Sequence, residues 1–185
     1  MKKNLVLTGF MGAGKSTVGR RLAEKLKLRY IDTDAEIERR AKMSIAEIFE
    51  KHGEAYFREL ERRVVEEVSE LEGCVIVTGG GVVLNRENIL NLRKKGIIVY
   101  LHAEPEVVYE RLRGDSSRPL LRVENPLKRI RELMRERAPR YAEHDCSVDT
   151  SGLSVEQVVE KVAEFYLRYC GCRKNYISSP RDAKR

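Results

Sequence analysis

Short apolar runs alternate along the chain with longer segments in which apolar residues recur every three or four positions. Runs of the first kind are typical of buried strands, and the second spacing is typical of amphipathic helices. The pattern predicts five strands, at 5–8, 30–31, 74–77, 97–101 and 146–148. Continuous apolar strands separated by such helices indicate an α/β protein whose parallel sheet is covered on both faces.

The helical segments are marked by their apolar positions and, in one case, by a start signal. Asn125 followed by Pro126 is typical of a helix N-cap with proline at the first helical position. The positions that mark the four helices are Val18, Leu22 and Leu26; Phe57, Leu60, Val64, Val68 and Leu71; Leu127, Ile130 and Leu133; and Val155, Val158, Val159, Val162 and Tyr166.

Length and composition narrow the class of protein. With 185 residues and about 150 residues per domain, we expect one globular domain over residues 1–169 and a basic, flexible tail over residues 170–185. No apolar run reaches the roughly 18 residues that a membrane span needs, and the N-terminal apolar stretch is too short for a signal peptide. The four cysteines are therefore expected to be reduced. We also expect the protein to be cytoplasmic, to be a monomer and not to bind a membrane.

The positive charge is concentrated in the tail. Of 36 basic and 29 acidic residues, the last sixteen positions hold five basic residues and one acidic residue. The body then has 31 basic against 28 acidic residues, which is weak support for nucleic-acid binding. We expect an enzyme that binds small anions and no nucleic acid. Cys170 and Cys172 lack the two further ligands of a structural zinc site.

Residues 9–16, Gly-Phe-Met-Gly-Ala-Gly-Lys-Ser, match the phosphate-loop pattern G-x-x-x-x-G-K-[ST] in full. A predicted strand precedes the motif and a predicted helix follows it, which is the context that this loop requires. Lys15 is expected to reach the β- and γ-phosphates of a nucleotide, and the Ser16 hydroxyl to bind Mg²⁺. The expected ATP-binding residues of this segment are Gly12, Ala13, Gly14, Lys15, Ser16 and Thr17.

Two carboxylates follow the second predicted strand, at Asp32 and Asp34. In a parallel sheet this strand end lies at the same edge as the phosphate loop, where ligands bind. One carboxylate is expected to assist Mg²⁺, and we assign that role to Asp32. Asp34 is expected to accept a hydrogen bond from the hydroxyl of an acceptor. The chain has no Asn-Lys-x-Asp or Thr-Lys-x-Asp sequence, so a guanine-specific switch protein is disfavoured.

The order of motifs resembles that of the shikimate kinases, which are small P-loop kinases. The resemblance extends from Asn4 to about Tyr169, well beyond the phosphate loop that many families share. The further motifs are Asp-Thr-Asp at 32–34, Phe-Arg-Glu-Leu-Glu at 57–61, Thr-Gly-Gly-Gly at 78–81, Arg-Pro-Leu-Leu at 118–121 and Glu-Arg-Ala-Pro-Arg-Tyr at 136–141.

The resemblance implies a three-layer P-loop NTPase fold with a five-stranded parallel sheet in the order 2-3-1-4-5. It also implies transfer of the ATP γ-phosphate to the 3-hydroxyl of shikimate, with Mg²⁺, giving shikimate 3-phosphate and ADP. Guanidinium groups suit the carboxylate of such an acceptor. Glu61 is expected to hold the guanidinium group of Arg58. The residues that the resemblance assigns to shikimate are Asp34, Arg58, Gly79, Gly80, Gly81 and Arg137.

The polar, arginine-rich segment from Arg113 to about Arg122 corresponds to the lid of this family. We expect it to be mobile in the free enzyme and to close over ATP. The resemblance assigns Arg118 to the transferring phosphoryl group and Arg111 to the adenine. Together with Lys15 and Asp34, Arg118 completes the expected catalytic set.

Two other functions remain open at this point. A gluconate-type or nucleoside-monophosphate kinase would share the phosphate loop, although the motifs at 57–61 and 78–81 argue against both. A P-loop regulator or nucleic-acid-binding protein without kinase activity would have no need of Lys15, Ser16, Asp32 and Asp34. Phosphorylation of shikimate and salt-sensitive binding of nucleic acid would distinguish these classes.

Overall fold

Five parallel strands form the centre of the molecule in a computed structural model, which describes residues 3–113 and 123–171. Their order across the sheet is β2-β3-β1-β4-β5, as the resemblance implied. All five strands predicted from the apolar runs are confirmed. Their bounds are β1 Asn4–Thr8, β2 Arg29–Asp32, β3 Cys74–Val77, β4 Gly96–His102 and β5 Cys146–Asp149.

Within the described residues, six α-helices and a short 3₁₀ turn at Val82–Leu84 lie between the strands, and a seventh helix follows the last strand. The hydrophobic pattern predicted four of these helices and missed α2, α4 and α5, which are eight to ten residues long. The helices are α1 Lys15–Leu26, α2 Thr33–Ala41, α3 Ile45–Ser69, α4 Arg86–Lys95, α5 Pro105–Leu112, α6 Pro126–Tyr141 and α7 Val155–Tyr169.

Helix α3 begins twelve residues before the first apolar position that predicted it. A capping box explains the start, because Ser44 accepts a hydrogen bond from the Glu47 N–H and Glu47 accepts one from the Ser44 N–H. The backbone leaves helical geometry at Gly53, where φ is 80°. The segment after this kink contains the motif at 57–61 and holds it over the sheet.

Alternate residues of the strands face opposite layers of helices. Leu5 of β1 lies beside Val75 and Ile97, and these three side chains pack against α1 and α7. Val6 and Ile76 face the other way and pack against α3 and α4. Because both faces of the sheet are buried, the strands consist of continuous apolar runs, which is why they could be recognised in the sequence.

A third apolar cluster connects the loop after β1 to helices α5 and α6. Phe10, in that loop, is 1% exposed, and it packs with residues of both helices. Helix α6 is thereby held beside the carboxyl edge of the sheet. The cluster consists of Phe10, Ala103, Val108, Ile130 and Leu133.

Besides residues 1 and 2, two segments lie outside the described residues. Residues 114–122, which contain Arg118, form most of the expected lid, and residues 172–185 form most of the expected tail. Helix α7 ends at Tyr169, next to the predicted boundary of the domain. Among the described helices, none combines the length and the apolar character that crossing a membrane requires.

Candidate active site

The loop between β1 and α1 has the geometry of a phosphate-binding loop. An added Cβ at Gly9 would lie 2.4 Å from the carbonyl oxygen of Leu101, so only glycine fits beside β4 there. Gly12 and Gly14 have φ values of 76° and 90°, in the region that glycine adopts without strain. The loop ends at the N-terminus of α1, where backbone N–H groups and the helix dipole favour an anion.

Lys15 is the first residue of α1 and is 8% exposed. Its Nζ donates to the carbonyl oxygens of Gly9 and Phe10, at 2.8 and 2.9 Å. The ammonium group is therefore held across the mouth of the loop by the loop's own backbone. This position places a positive charge where the predicted nucleotide phosphates would lie.

Asp32 connects the phosphate loop to β2 and α2. Its Oδ1 caps α2 by accepting from the Asp34 N–H at 3.1 Å, while its Oδ2 accepts from the Ser16 hydroxyl at 3.1 Å. Tyr30 donates to the same Oδ2 at 3.0 Å. Burial and the Asp32 carboxylate raise the pKa of Tyr30 to about 12, so its hydroxyl remains a donor. A hydroxyl and a carboxylate in contact are a donor set that suits Mg²⁺.

A cavity of about 480 Å³ opens beside these groups. Of the residues predicted from the phosphate loop, all line this cavity except Ala13, which is 1% exposed and packs into the core. Ala13 can therefore meet a phosphate only through its backbone. The predicted site residues that line the cavity are Gly12, Gly14, Lys15, Ser16, Thr17, Asp32, Asp34 and Gly80.

A second, smaller cavity adjoins the first and shares Asp34 and Gly80 with it. It contains four further residues that were assigned to an acceptor or to its support, so the structure brings together these residues from distant parts of the chain. Phe57, interpreted as a core residue, is both buried in the core and part of this lining. The lining is Met11, Asp34, Ile45, Phe49, Phe57, Arg58, Glu61, Gly79, Gly80 and Gly81.

Two glutamates of α3 hold the Arg58 guanidinium at this second cavity. Its Nη1 donates to Glu61 Oε2 at 2.9 Å, which confirms the predicted Arg58–Glu61 contact. Glu54 Oε1 accepts from Nε at 3.1 Å and from Nη2 at 2.9 Å. The Glu54 contact was missed, although its i,i+4 spacing was visible in the sequence. Both contacts restrict the guanidinium before any ligand binds.

Glu61 is an acidic residue that is only 1% exposed. Burial raises the pKa of its carboxyl group, while the neighbouring Arg58 charge acts in the opposite direction. Its Oε1 has no hydrogen-bond partner among the described residues. A buried oxygen of this kind is costly, and here it belongs to a residue that lines the second cavity.

The absence of side chains at 79–81 makes room for the charged groups of the pocket. An added Cβ at Gly79 would lie 2.5 Å from Asp34 Oδ1. One at Gly81 would lie 2.5 Å from Arg58 Nη1 and 2.8 Å from Arg58 Cζ. Any larger residue would therefore displace Asp34 or Arg58, and this explains why the turn consists of glycines.

Replacing Gly81 with alanine is expected to raise the KM for the acceptor by about tenfold or more. The new methyl group displaces the Arg58 guanidinium, and the expected charge-assisted contact of that group with an acceptor carboxylate would be worth about that much. The KM for ATP should change less than about twofold, because the first cavity is untouched. Steady-state kinetics with each substrate varied in turn measures both values.

Gly152→Ala is a matched control for this substitution, because nothing lies within 4 Å of an added Cβ there. It should leave the acceptor KM unchanged. If Gly81→Ala also left it unchanged, Arg58 would not contact the acceptor.

Two further predicted arginines lie among the described residues, and their surroundings differ. Arg137 is 5% exposed, and its Nη1 donates to the carbonyl oxygen of Gly80 at 3.5 Å, so it supports the glycine turn although it lines neither cavity. Arg111 donates to Gly12 O at 3.2 Å and to Thr150 O at 2.9 Å. Its guanidinium thus lies beside the phosphate loop, and its contact with adenine stays a prediction.

These features together define a P-loop kinase for a small acceptor: a phosphate loop and a nucleotide-sized cavity meet a second pocket at Asp34. A family model described as shikimate kinase matches residues 11–167. The chain belongs to the shikimate kinase family and is an ATP-dependent kinase.

Individual relatives agree with the family model. A curated shikimate kinase of Caldanaerobacter subterraneus subsp. tengcongensis is 53% identical over 169 residues, which cover 91% of this chain and 99% of the relative. A solved shikimate kinase from Acinetobacter baumannii in complex with shikimate has a TM-score of 0.88 at 39% identity, covering 91% of this chain and 95% of that one. A gluconokinase from Sinorhizobium meliloti, at 19% identity and a TM-score of 0.63 over 92% of this chain and 94% of that chain, shares the fold alone.

Proposed function

We propose that this kinase transfers the γ-phosphate of ATP to the 3-hydroxyl of shikimate, with Asp34 between the two substrates. The observation that carries the proposal is the meeting of the two cavities at Asp34, with Arg58 in the smaller one. ATP would occupy the cavity at the phosphate loop, and shikimate the pocket of Arg58, Arg137 and the glycines at 79–81. Shikimate, with which the related kinase from Acinetobacter baumannii forms a complex, offers the carboxylate and hydroxyls that these groups would bind.

In the proposed reaction the 3-hydroxyl oxygen attacks the γ-phosphorus while the bond from that phosphorus to the β–γ bridging oxygen breaks. Asp34 accepts a hydrogen bond from the attacking hydroxyl and then its proton. Lys15 stabilises the negative charge that develops on the β–γ bridging oxygen and the γ-oxygens. The products are shikimate 3-phosphate and ADP.

A divalent cation is general for kinases of this kind, and we propose Mg²⁺ at Ser16 and Asp32. The contact of 3.1 Å between Ser16 Oγ and Asp32 Oδ2 supports this site, because hard oxygen ligands suit Mg²⁺. When bound, Mg²⁺ supplies charge neutralisation at the phosphates. The residues of the chain orient the nucleotide through the loop N–H groups and Lys15.

Release of ADP that depends on shikimate, measured in Mg²⁺ and ATP with a coupled assay, tests the proposal. Gluconate and a nucleoside monophosphate serve as competing acceptors in the same assay. We expect turnover with shikimate and background rates with the other two. Turnover with another acceptor and not with shikimate would overturn the assignment.

The cytoplasmic location of the enzyme, its monomeric state and its lack of nucleic-acid partners stay predictions.

Arg118 lies outside the described residues, and its proposed role in stabilising the transferring phosphoryl group rests on the motif at 118–121. Arg118→Ala is expected to lower kcat by about 10²-fold, as is typical for a donor aimed at transition-state charge. Arg118→Lys should restore only part of the rate, because an ammonium lacks the guanidinium fork. If Arg118→Ala raised only the KM for ATP, the residue would bind nucleotide without stabilising the transition state.

A further inference from the structure

Tyr141 connects helix α6 to the glycine turn of the second cavity. It is the last residue of the helix and is 3% exposed. Its hydroxyl donates to the carbonyl oxygen of Gly80 at 2.5 Å, a residue 61 positions earlier in the chain. This bond joins the turn to an element that otherwise contributes only Arg137 to the site.

The ring of Tyr141 is held so that its hydroxyl has little freedom. It stacks on Tyr100 with a centroid distance of 4.8 Å and an interplanar angle of 15°. Tyr100 lies in β4 beside Thr8 of β1, directly before the phosphate loop. Burial raises the pKa of the Tyr141 hydroxyl, so it remains a protonated donor at the pH at which a kinase works.

Gly80 and Gly81 are joined by a peptide whose orientation matters for the pocket. A planar trans peptide points the Gly80 carbonyl and the Gly81 N–H in opposite directions, so a bond that holds the first also orients the second. Glycine allows several backbone conformations, and without a restraint this peptide could rotate. Among residues 3–113 and 123–171, no backbone carbonyl accepts a hydrogen bond from the Gly81 N–H.

We infer that Tyr141 is a positioning residue for the acceptor: its hydroxyl holds the Gly80 carbonyl and thereby orients the Gly81 N–H toward the second cavity. The inference rests on the proposed function, since it takes that cavity to be the shikimate pocket. The Arg137 Nη1, one helical turn before Tyr141, approaches the same carbonyl at 3.5 Å, so the end of α6 supports the turn at two points. The Gly81 N–H is then free to donate to a ligand oxygen.

Tyr141→Phe tests this inference, because it removes the hydroxyl and keeps the stacked ring. We expect the KM for shikimate to rise about tenfold, the effect of losing one well-placed hydrogen bond. The KM for ATP should stay within about twofold and kcat within about threefold. A residue that only stabilises the fold would not change one KM and spare the other.

Two matched controls separate positioning from stability. Tyr166 is a buried tyrosine whose hydroxyl donates to the carbonyl oxygen of Lys3 at 2.7 Å, far from the site. Tyr166→Phe removes the same kind of bond and should leave both KM values unchanged. Tyr100→Phe keeps the stack and removes a hydroxyl that lies 3.3 Å from His102 Nδ1, and it too should leave them unchanged.

Amide hydrogen exchange of the Gly79 N–H, which donates to the Thr33 hydroxyl at 3.2 Å, followed by NMR, provides a reading that does not depend on turnover. Tyr141→Phe should loosen the turn and speed this exchange relative to wild type and to Tyr166→Phe. If wild type phosphorylates shikimate but Tyr141→Phe leaves its KM within twofold, the positioning inference is wrong and the proposed function stands. If wild type does not phosphorylate shikimate, the proposed function fails. If, in addition, Tyr141→Phe exchanges as slowly as wild type, the role of Tyr141 in holding the turn is overturned as well.

Discussion

Lys15→Ala is expected to give a folded protein whose turnover is lower by at least about 10³-fold. Phosphoryl transfer is catalysed mainly by placed positive charge, and the Lys15 ammonium is held at the mouth of the phosphate loop by the carbonyl oxygens of Gly9 and Phe10. The fold should survive, because these two bonds lie within the loop and each contributes only about 1 kcal/mol net. Circular dichroism and single-turnover kinetics measure the two effects.

Lys25→Ala is the matched control for this prediction. Lys25 lies on the same helix and forms an ion pair with Glu160 of α7, away from both cavities. Its replacement should leave turnover within about twofold of wild type. Near-normal turnover of Lys15→Ala itself would remove the assignment of the phosphate loop as the site of transfer.

Asp34→Asn is expected to lower kcat with shikimate by about 10²- to 10³-fold and to weaken shikimate binding. The substitution keeps the shape of the side chain but removes the negative charge that would accept the hydroxyl proton. Loss of a general base typically lowers the rate by about this factor. ATP affinity should change less than about threefold. Titration calorimetry with each ligand and steady-state kinetics distinguish these effects.

Asp32→Asn provides the complementary variant, since Asp32 accepts from the Ser16 hydroxyl at the phosphate loop. It should weaken binding of ATP in the presence of Mg²⁺ and leave shikimate affinity nearly unchanged. The opposite pattern, in which Asp34→Asn weakens ATP binding and spares shikimate binding, would make Asp34 mainly a metal ligand.

Local patterns in the sequence were sufficient to predict the five strands of a covered parallel sheet, whereas the strand order came from the family resemblance. Each strand is buried on both faces, so its apolar run is continuous and recognisable. The polar helix α2 was missed because only Thr33 and Ile37 of its nine residues are buried, and one apolar position has no periodicity. The phosphate loop was recognisable because its glycines, lysine and serine are consecutive, and its function depends on the backbone of one short segment.

The acceptor pocket depended on residues that are far apart in the chain. Arg137 could be assigned only through the family resemblance, because its sequence surroundings contain several other arginines. The contact of Glu61 with Arg58 followed from helical spacing, whereas the proximity of Asp34 to Gly79 did not. Such contacts are set by how helices pack on the sheet, and no short pattern encodes that packing.

The sequence by itself determined the alternating strands and helices, the phosphate loop and the carboxylates at the end of β2, since each depends on neighbouring residues. The tertiary structure alone decided that Asp34 lies beside Gly79 and that Tyr141 reaches the Gly80 carbonyl. The physical reason is that periodicity and turn chemistry act over a few residues. Contacts across 61 positions arise only when the packing of apolar faces brings α6 to the edge of the sheet.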